Sequence, residues 1–357
     1  MRPIPAARHG ARRHGTRRHG TRSRGAWSAL LVALALAAST LLSSALAQEL
    51  PDAAEDAVFA ARDAMQRAIE QDVPPFPDQP LWAEAARHAR RAVELAPSHP
   101  RTLGTLAEVY SRSNFYARAW TAWQAYLDAG HGLDATQTPL FLKVGEELAW
   151  SAYQRGDRER AAEIHLDVLD AVPFSKESRV WMGRIRLEQE RPADAVPYWE
   201  AVVEQDPDDD RARYFLELAS DQARWGVDAV EAFRRGVSRY EADDLDAARR
   251  AFERATDANP EYPEAWAWRG RIAFERGSWV VARNHYGRAL ELDPDNDTYR
   301  YFRNEAQRRL DARQAEADAA AAAAEAEAEA QAEAEAETES EASSADDDRA
   351  TPDDEAP

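Results

Sequence analysis

The fold of this chain is decided by residues 229–294, which read AVEAFRRGVSRYEADDLDAARRAFERATDANPEYPEAWAWRGRIAFERGSWVVARNHYGRALELDP. Each half of this stretch has apolar residues at helical spacing and closes at a proline, first Pro260 and then Pro294. The two prolines lie 34 residues apart. Two successive helix-turn-helix units are therefore predicted, with small residues where paired helices must approach closely.

In the second half, three residues mark a first helix and three mark a second helix. They are Trp266, Arg269 and Gly270 in the first, and Ala282, Tyr286 and Ala289 in the second. The pattern and its period resemble the tetratricopeptide repeat. The resemblance implies an all-α fold, a right-handed αα-superhelix (TPR-type solenoid), and a binding scaffold instead of an enzyme.

The same pattern and the changes in composition divide the chain into six segments. We predict a signal peptide or N-terminal anchor at 1–47, N-terminal helical repeats at 48–130, a loop at 131–139, a repeat pair plus capping helix at 140–224, a duplicate of that set at 227–311, and an Ala/Glu-rich acidic tail at 312–357. Glutamates four residues apart repel one another along this tail. We therefore expect it to be partly helical and then disordered from about Glu337.

The two repeat pairs are copies of one another. Residues 140–224 and 227–311 align at a constant offset of 87 without gaps, with 23 identities in 85 positions. Because each copy ends in an extra helix, one second helix is missing between them. We expect a change of phase at Gly226, with Val227–Glu241 packing against both neighbouring helices.

Charge and cysteine content exclude several classes of function. The net charge is −20, with eight arginines and no acid in residues 1–25 but sixteen acids and one arginine in residues 314–357. Nucleic-acid phosphates need basic surfaces, so we expect no nucleic-acid partner. The chain has no cysteine, which excludes a disulfide, a thiolate zinc site and a catalytic thiol.

The N-terminal segment predicts export. Residues 26–47 carry no charge and end in Ala45-Leu46-Ala47 ahead of Gln48. After a basic start, this pattern is typical of a secretory signal cleaved after Ala47. An apolar stretch of this length is also long enough to cross a bilayer, which would leave an inner-membrane protein anchored by residues 26–47. Otherwise we expect a periplasmic, cell-envelope or extracellular protein with no membrane contact of its own.

Candidate chemistry is sparse. The histidines beyond residue 47 form no metal-binding motif, and His165 falls where the repeat places a packed aromatic ring. The acidic strings, which are the aspartate-rich segments at 206–210 and 293–297, have oxygen ligands at alternating positions, a pattern that suits Ca²⁺. They lack the glycine and the glutamate of an EF-hand loop, and they match helix N-caps better. We predict no catalytic residue, no metal site and no cofactor.

A second group of aromatic residues falls at first-helix positions, which in the resembling family face the concave groove. Together with two Arg/Glu pairs at i,i+4, they form our candidate partner-binding groove: Trp150, Tyr153, Trp181, Arg184, Glu188, Tyr240, Trp268, Arg271 and Glu275. The alternative is an intrahelical ion pair beside an aromatic ring that packs on its neighbour. By contrast, Trp123, Trp199, Phe252 and Tyr286 are predicted to be core residues.

These features predict a non-enzymatic, exported scaffold that binds a protein or peptide partner in the cell envelope. Aromatic and arginine side chains are the residues that most often carry binding energy at such surfaces. Exposed tryptophans beside Arg and Glu also suit sugars, so a carbohydrate-binding envelope protein is an alternative. A membrane-anchored structural spacer is a third reading.

Overall fold

The computed structural model describes residues 49–347, and the side chains of residues 49–337. These residues form fourteen α-helices and, within that range, no strand, so the predicted all-α fold class is confirmed. The predicted signal or anchor at 1–47 lies outside the described residues. In the part of the chain that is described, no helix is both long and apolar enough to span a bilayer.

Two compact units divide between Leu148 and Ala149. The helices of the first unit are α1 (Asp52–Glu70), α2 (Pro80–Leu95), α3 (Pro100–Arg112), α4 (Tyr116–Asp128) and the start of α5 (Gln137–Gln154). α1 packs against α2, and α3 against α4. Trp82, Trp123 and Phe141 are buried in this unit, which places Trp123 in the core as predicted.

The loop between α4 and α5 is shorter than the predicted span of 131–139, because α5 already begins at Gln137. The Asp134 carboxylate accepts hydrogen bonds from the backbone N–H of Thr136 at 2.7 Å and of Gln137 at 2.9 Å. A hydrogen bond from the Thr136 hydroxyl, together with these two, lowers the pKa of Asp134. Pro139 is accommodated because it lies in the first helical turn, where N–H groups have no intrahelical partner.

The second unit contains the end of α5 and nine further helices. They are α6 (Arg158–Ala171), α7 (Lys176–Glu188), α8 (Pro192–Gln205), α9 (Asp210–Trp225), α10 (Val227–Glu241), α11 (Leu245–Ala258), α12 (Pro263–Glu275), α13 (Trp279–Leu292) and α14 (Asp297–Asp347). α7 pairs with α8, α10 with α11, and α12 with α13. α7, α10 and α12 are the first helices of their pairs.

Each of these pairs is held by a large ring pressed against a glycine. A Cβ added to Gly183 would lie 2.5 Å from Trp199 Nε1, one added to Gly236 would lie 2.6 Å from Phe252 Cε1, and one added to Gly270 would lie 2.8 Å from Tyr286 Cδ2. The three rings are buried, as predicted for core residues. The glycine is therefore needed so that the first helix can approach the aromatic ring of the second.

The terminal helices α9 and α14 cover the ends of their copies in the same way. Phe215 of α9 stacks on Trp199 with ring centroids 4.9 Å apart and an interplanar angle of 14°. Phe302 of α14 stacks on Tyr286 at 5.3 Å, also at 14°. The two stacks occupy equivalent positions of the duplicated sequence.

A single residue separates the terminal helix of the first copy from the first helix of the second. Gly226, with φ of +91°, separates α9 from α10, a backbone conformation that glycine adopts without strain. α10 packs against both α9 and α11. Trp225 at the end of α9 also stacks on Tyr262, just before α12, at 5.0 Å. The change of phase expected at Gly226 stays a prediction.

The acidic tail is more helical than expected. α14 runs to Asp347, past Glu337, where we expected disorder to begin. Alanine and glutamate have high helical propensity, and neither glycine nor proline interrupts this stretch. Every side chain from 311 to 337 is exposed, so this part of α14 is a solvated extension of the helix.

Candidate functional site

The nine groove residues predicted from the sequence fall into two clusters, both in the second unit. The first aromatic cluster contains Trp150, Tyr153, Trp181, Arg184 and Glu188, and the second contains Tyr240, Trp268, Arg271 and Glu275. Tyr, Trp, Arg and Glu occur in both clusters at positions that are equivalent in the duplicated sequence, 87 residues apart. Trp150 has no aromatic counterpart, since Val237 stands at the equivalent position.

In the first aromatic cluster, three rings form a continuous surface. Tyr153 contacts both indoles, with its ring centroid 5.9 Å from that of Trp150 and 5.0 Å from that of Trp181. The two indoles are themselves 5.6 Å apart. Trp150 is 45% exposed, whereas Trp181 and Tyr153 are half-buried. The cluster therefore offers one accessible indole backed by two partly covered rings.

Glu188 does not form the predicted ion pair with Arg184. Its carboxylate accepts a hydrogen bond from the Tyr153 hydroxyl at 2.5 Å and pairs with Arg158 Nε at 2.8 Å. Arg184 instead lies over the Trp181 ring, 4.6 Å from its centroid. Sequence reasoning missed Arg158 because it comes from the start of α6, a different helix, so no i,i+4 spacing indicates it.

The second aromatic cluster keeps the same tyrosine and glutamate bond. Tyr240 donates its hydroxyl proton to Glu275 at 2.5 Å, and Arg271 lies over both the Tyr240 and Trp268 rings, at 4.8 Å and 4.9 Å. Here the predicted i,i+4 ion pair is present, with Arg271 Nε 3.2 Å from Glu275. The reason is that Leu245 stands where the first cluster has Arg158, so no other arginine takes the carboxylate.

The glutamates perturb the tyrosines in both clusters. The hydrogen bond to Glu188 raises the pKa of the Tyr153 hydroxyl, and the bond to Glu275 raises that of Tyr240. A phenol that donates to a carboxylate is stabilised in its neutral form. Both hydroxyls are therefore committed to internal hydrogen bonds, which fix the orientation of the two tyrosine rings.

Each cluster is backed by a buried ring from a second helix. His165 stacks on Trp181 with centroids 6.1 Å apart and planes 7° apart, and Phe252 stacks on Trp268 at 5.3 Å and 13°. Burial lowers the pKa of His165 to about 4, so this imidazole is neutral at pH 7, as expected of a packed ring. One face of Trp181 and one face of Trp268 are thus used in packing.

Three cavities that the sequence did not indicate adjoin the clusters. The Arg184 cavity, of about 440 Å³, lies between α7, α8 and α9. The Trp268 cavity, of about 210 Å³, lies between α12, α13 and α14. A third, the junction cavity, of about 440 Å³, is bounded by α7, α9 and α10 and also lined by Arg184 and Glu188. All three depend on how a terminal helix packs, which repeat spacing alone does not specify.

The acidic strings act as caps. Asp209 accepts a hydrogen bond from the backbone N–H of Ala212 at 2.9 Å, which caps α9. Lys176 Nζ lies 2.8 Å from Asp206 and 2.9 Å from Asp209. Asn296 caps α14 in the same way. Within the described residues, no three His, Asp or Glu side chains are grouped as metal ligands.

Comparison with known proteins finds one family model, and it matches residues that lie almost entirely in the second unit. The tetratricopeptide repeat model matches residues 146–210, 182–236 and 233–297. The chain is 28% identical over 204 residues to cellulose synthase 2 operon protein C of Komagataeibacter xylinus, covering 57% of this chain. It is 27% identical over 164 residues to protein O-mannosyl-transferase TMTC1 of Mus musculus, covering 46% of this chain. Each alignment spans only 15% of the relative's length.

Solved structures of other repeat proteins also match. One is a tetratricopeptide repeat protein from Parabacteroides merdae, with 13% identity and a TM-score of 0.32, covering 72% of this chain and 100% of that one. Another is YrrB, a TPR protein with an unusual peptide-binding site, with 17% identity and a TM-score of 0.26, covering 62% of this chain and 99% of that one.

Proposed function

Since residues 146–297 match the tetratricopeptide repeat model, we propose that this chain is a non-enzymatic scaffold whose two aromatic clusters bind a segment of a partner protein. One observation carries the proposal. The duplication has kept the same tyrosine, tryptophan, arginine and glutamate in both copies, and in both the arginine is stacked on the tryptophan. Such a surface supplies apolar contact area together with directional hydrogen-bond donors.

The exposed members of the first aromatic cluster suit an extended peptide. Trp150 is 45% exposed, and the Arg184 guanidinium lies over the neighbouring Trp181 ring instead of a carboxylate. Within the described residues no carboxylate lies within ion-pairing distance of Arg184. An arginine held in place by an aromatic ring keeps its five donors for a ligand, with less entropy to lose on binding.

Peptide display on the purified full chain tests this function. We expect a set of short peptides to be enriched, and we expect Trp150→Ala combined with Arg184→Gln to weaken their binding at least tenfold. The matched control is Phe174→Ala, which removes an aromatic ring that is 71% exposed in the loop between α6 and α7. If the control weakens binding as much as the double variant, the clusters are not the binding surface.

We further propose that the protein is exported and acts in the cell envelope. The basic start and the uncharged stretch at 26–47 support this setting. The partial relative named for a cellulose synthase operon is compatible with it. Detection of the chain only in the cytoplasmic fraction of its own cells would overturn the export proposal without affecting peptide binding.

Carbohydrate binding is the second candidate, because Trp150 offers an exposed ring beside Tyr153, an arrangement that also suits a sugar face. A glycan array separates the two. If the protein binds peptides, we expect that Trp150→Ala will not reduce the binding of any glycan on the array. The third reading, a structural spacer, predicts that neither peptides nor glycans bind.

A further inference from the structure

We propose, building on the peptide-binding function above, that the duplicated copies have diverged into two pockets with different ligands. The Arg184 cavity accepts a carboxylate side chain, and the Trp268 cavity accepts a large apolar side chain. The partner is then a protein segment that carries both an acidic and a large apolar residue. This assignment goes beyond the duplication, which by itself predicts two identical sites.

The two cavities are equivalent places in the two copies. Arg184 and Arg271 line them from the first helix, and Trp199 and Tyr286 from the second helix. The terminal helix contributes Arg211 and Ala212 to one cavity, and Thr298 and Tyr299 to the other. These pairs all correspond at the offset of 87. The surroundings are therefore shared, and the differences between the cavities lie in a few named side chains.

In the Arg184 cavity the carboxylates already accept hydrogen bonds from other residues of the protein, whereas the two arginine side chains are available to donate. Glu177 accepts a bond from the Trp181 indole N–H at 2.8 Å. Asp209 is taken by Lys176 and by the cap of α9. The Arg184 and Arg211 guanidinium groups lie over aromatic rings, 4.6 Å from the centroid of Trp181 and 5.9 Å from that of Phe215. Neither has an ion-pair partner among the residues described.

Arg211 occupies a position that the fold itself does not favour. It is the second residue of α9, and the positive end of the helix dipole at the first turn disfavours a cation. The side chain is exposed, so it contributes little packing. Two free guanidinium groups at one cavity match the planar, two-oxygen geometry of a carboxylate. The cavity thus has the donors that an Asp or Glu side chain requires.

The Trp268 cavity has the opposite character. Its walls are formed mainly by four aromatic rings, those of Trp268, Tyr286, Tyr299 and Phe302. Arg271, its cationic member, is already paired with Glu275. Burial of a Leu, Met or Phe side chain among these rings would be favourable, at roughly 25 cal/mol per Å² of apolar surface removed from water. A carboxylate entering there would have to compete with Glu275 for the arginine.

A reciprocal exchange at one pair of equivalent positions tests the assignment. Arg211→Thr places in the Arg184 cavity the residue found in the Trp268 cavity. Thr298→Arg makes the reverse change in the Trp268 cavity. Both side chains are exposed on the first turn of a terminal helix, so both variants should fold, which circular dichroism melting checks. The readout is the enrichment of each residue type in peptides selected on the full chain.

For the wild type we expect selected peptides to combine Asp or Glu with a large apolar residue. Arg211→Thr should reduce the enrichment of Asp and Glu at least fivefold and leave the apolar preference unchanged. Thr298→Arg should reduce the apolar preference without reducing the acidic one. If both variants reduce the same preference, or neither variant changes any, the assignment is wrong although peptides bind. If no peptide is enriched, the peptide-binding function fails and the assignment with it.

Discussion

At the scale of single residues, three glycines decide how closely the paired helices of the second unit approach. Gly183, Gly236 and Gly270 each leave room for a buried ring on the partner helix. The neighbouring positions on the same helices, Trp181 and Trp268, carry the aromatic clusters. In α7 and α12, the packing of the core and the placement of the aromatic clusters are therefore set by residues two positions apart.

The first prediction concerns Gly183→Ala. Its new Cβ would lie 2.5 Å from Trp199 Nε1, and Trp199 is only 1% exposed and cannot move aside. Overpacking of this kind costs about 1–3 kcal/mol, which urea denaturation measures. The control is Gly287→Ala in α13, where nothing lies within 4 Å of the new Cβ. That change should stabilise by about 0.5–1 kcal/mol, and destabilisation by both would contradict the account.

The second prediction uses the difference between His165 and its equivalent, Phe252. Burial lowers the pKa of folded His165 from 6.5 to about 4, so the unfolded state binds its proton more readily. The contribution of this residue to stability is complete above pH 6.5 and is lost as the pH falls toward 4, by an amount on the order of 3 kcal/mol. His165→Phe should keep the stack on Trp181 and remove this part of the pH dependence.

The measurement compares free energies of unfolding of the wild type and His165→Phe at pH 7 and pH 4.5. The carboxylates that also titrate in this range are common to both proteins, so their effect cancels in the difference. His285 is a second imidazole whose pKa burial lowers to about 4, and His285→Phe tests it separately. Parallel pH profiles for wild type and His165→Phe would show that the His165 proton does not affect folding.

At the scale of helices, sequence periodicity predicted most of the elements but not their ends. Prolines and repeating small residues indicated the helix pairs, because these residues act locally. The start of α5 at Gln137 was missed, since it depends on the hydrogen bonds of Asp134. Arg158 and the three cavities were missed because they arise from contacts between helices that are distant in sequence.

The third prediction separates the two halves of α14. Its first half covers the second copy through Tyr299 and Phe302, whereas side chains from 311 to 337 are all exposed. Deleting residues 316–357 should therefore leave the melting temperature of the second unit unchanged within about 1 °C. Deleting 297–357 should lower it by several degrees, because it uncovers Tyr286 and Ala289. Equal effects of the two deletions would contradict the capping role of α14.

At the scale of the whole chain, the fourth prediction concerns its processing. The Ala45-Leu46-Ala47 exit predicts that the exported protein begins at Gln48. Mass spectrometry of the intact protein from its own cells checks this directly. Recovery of a chain in the membrane fraction that still contains residues 26–47 would instead favour the anchored form.

The central claim is that the aromatic clusters of the second unit are where a partner binds. Hydroxyl-radical footprinting of the full chain with and without a display-selected peptide measures this directly, because radicals oxidise exposed aromatic side chains. We predict that the peptide protects Trp150, which is 45% exposed, while oxidation of Phe174, which is 71% exposed, is unchanged. Protection of Phe174 with no change at Trp150 would contradict the account.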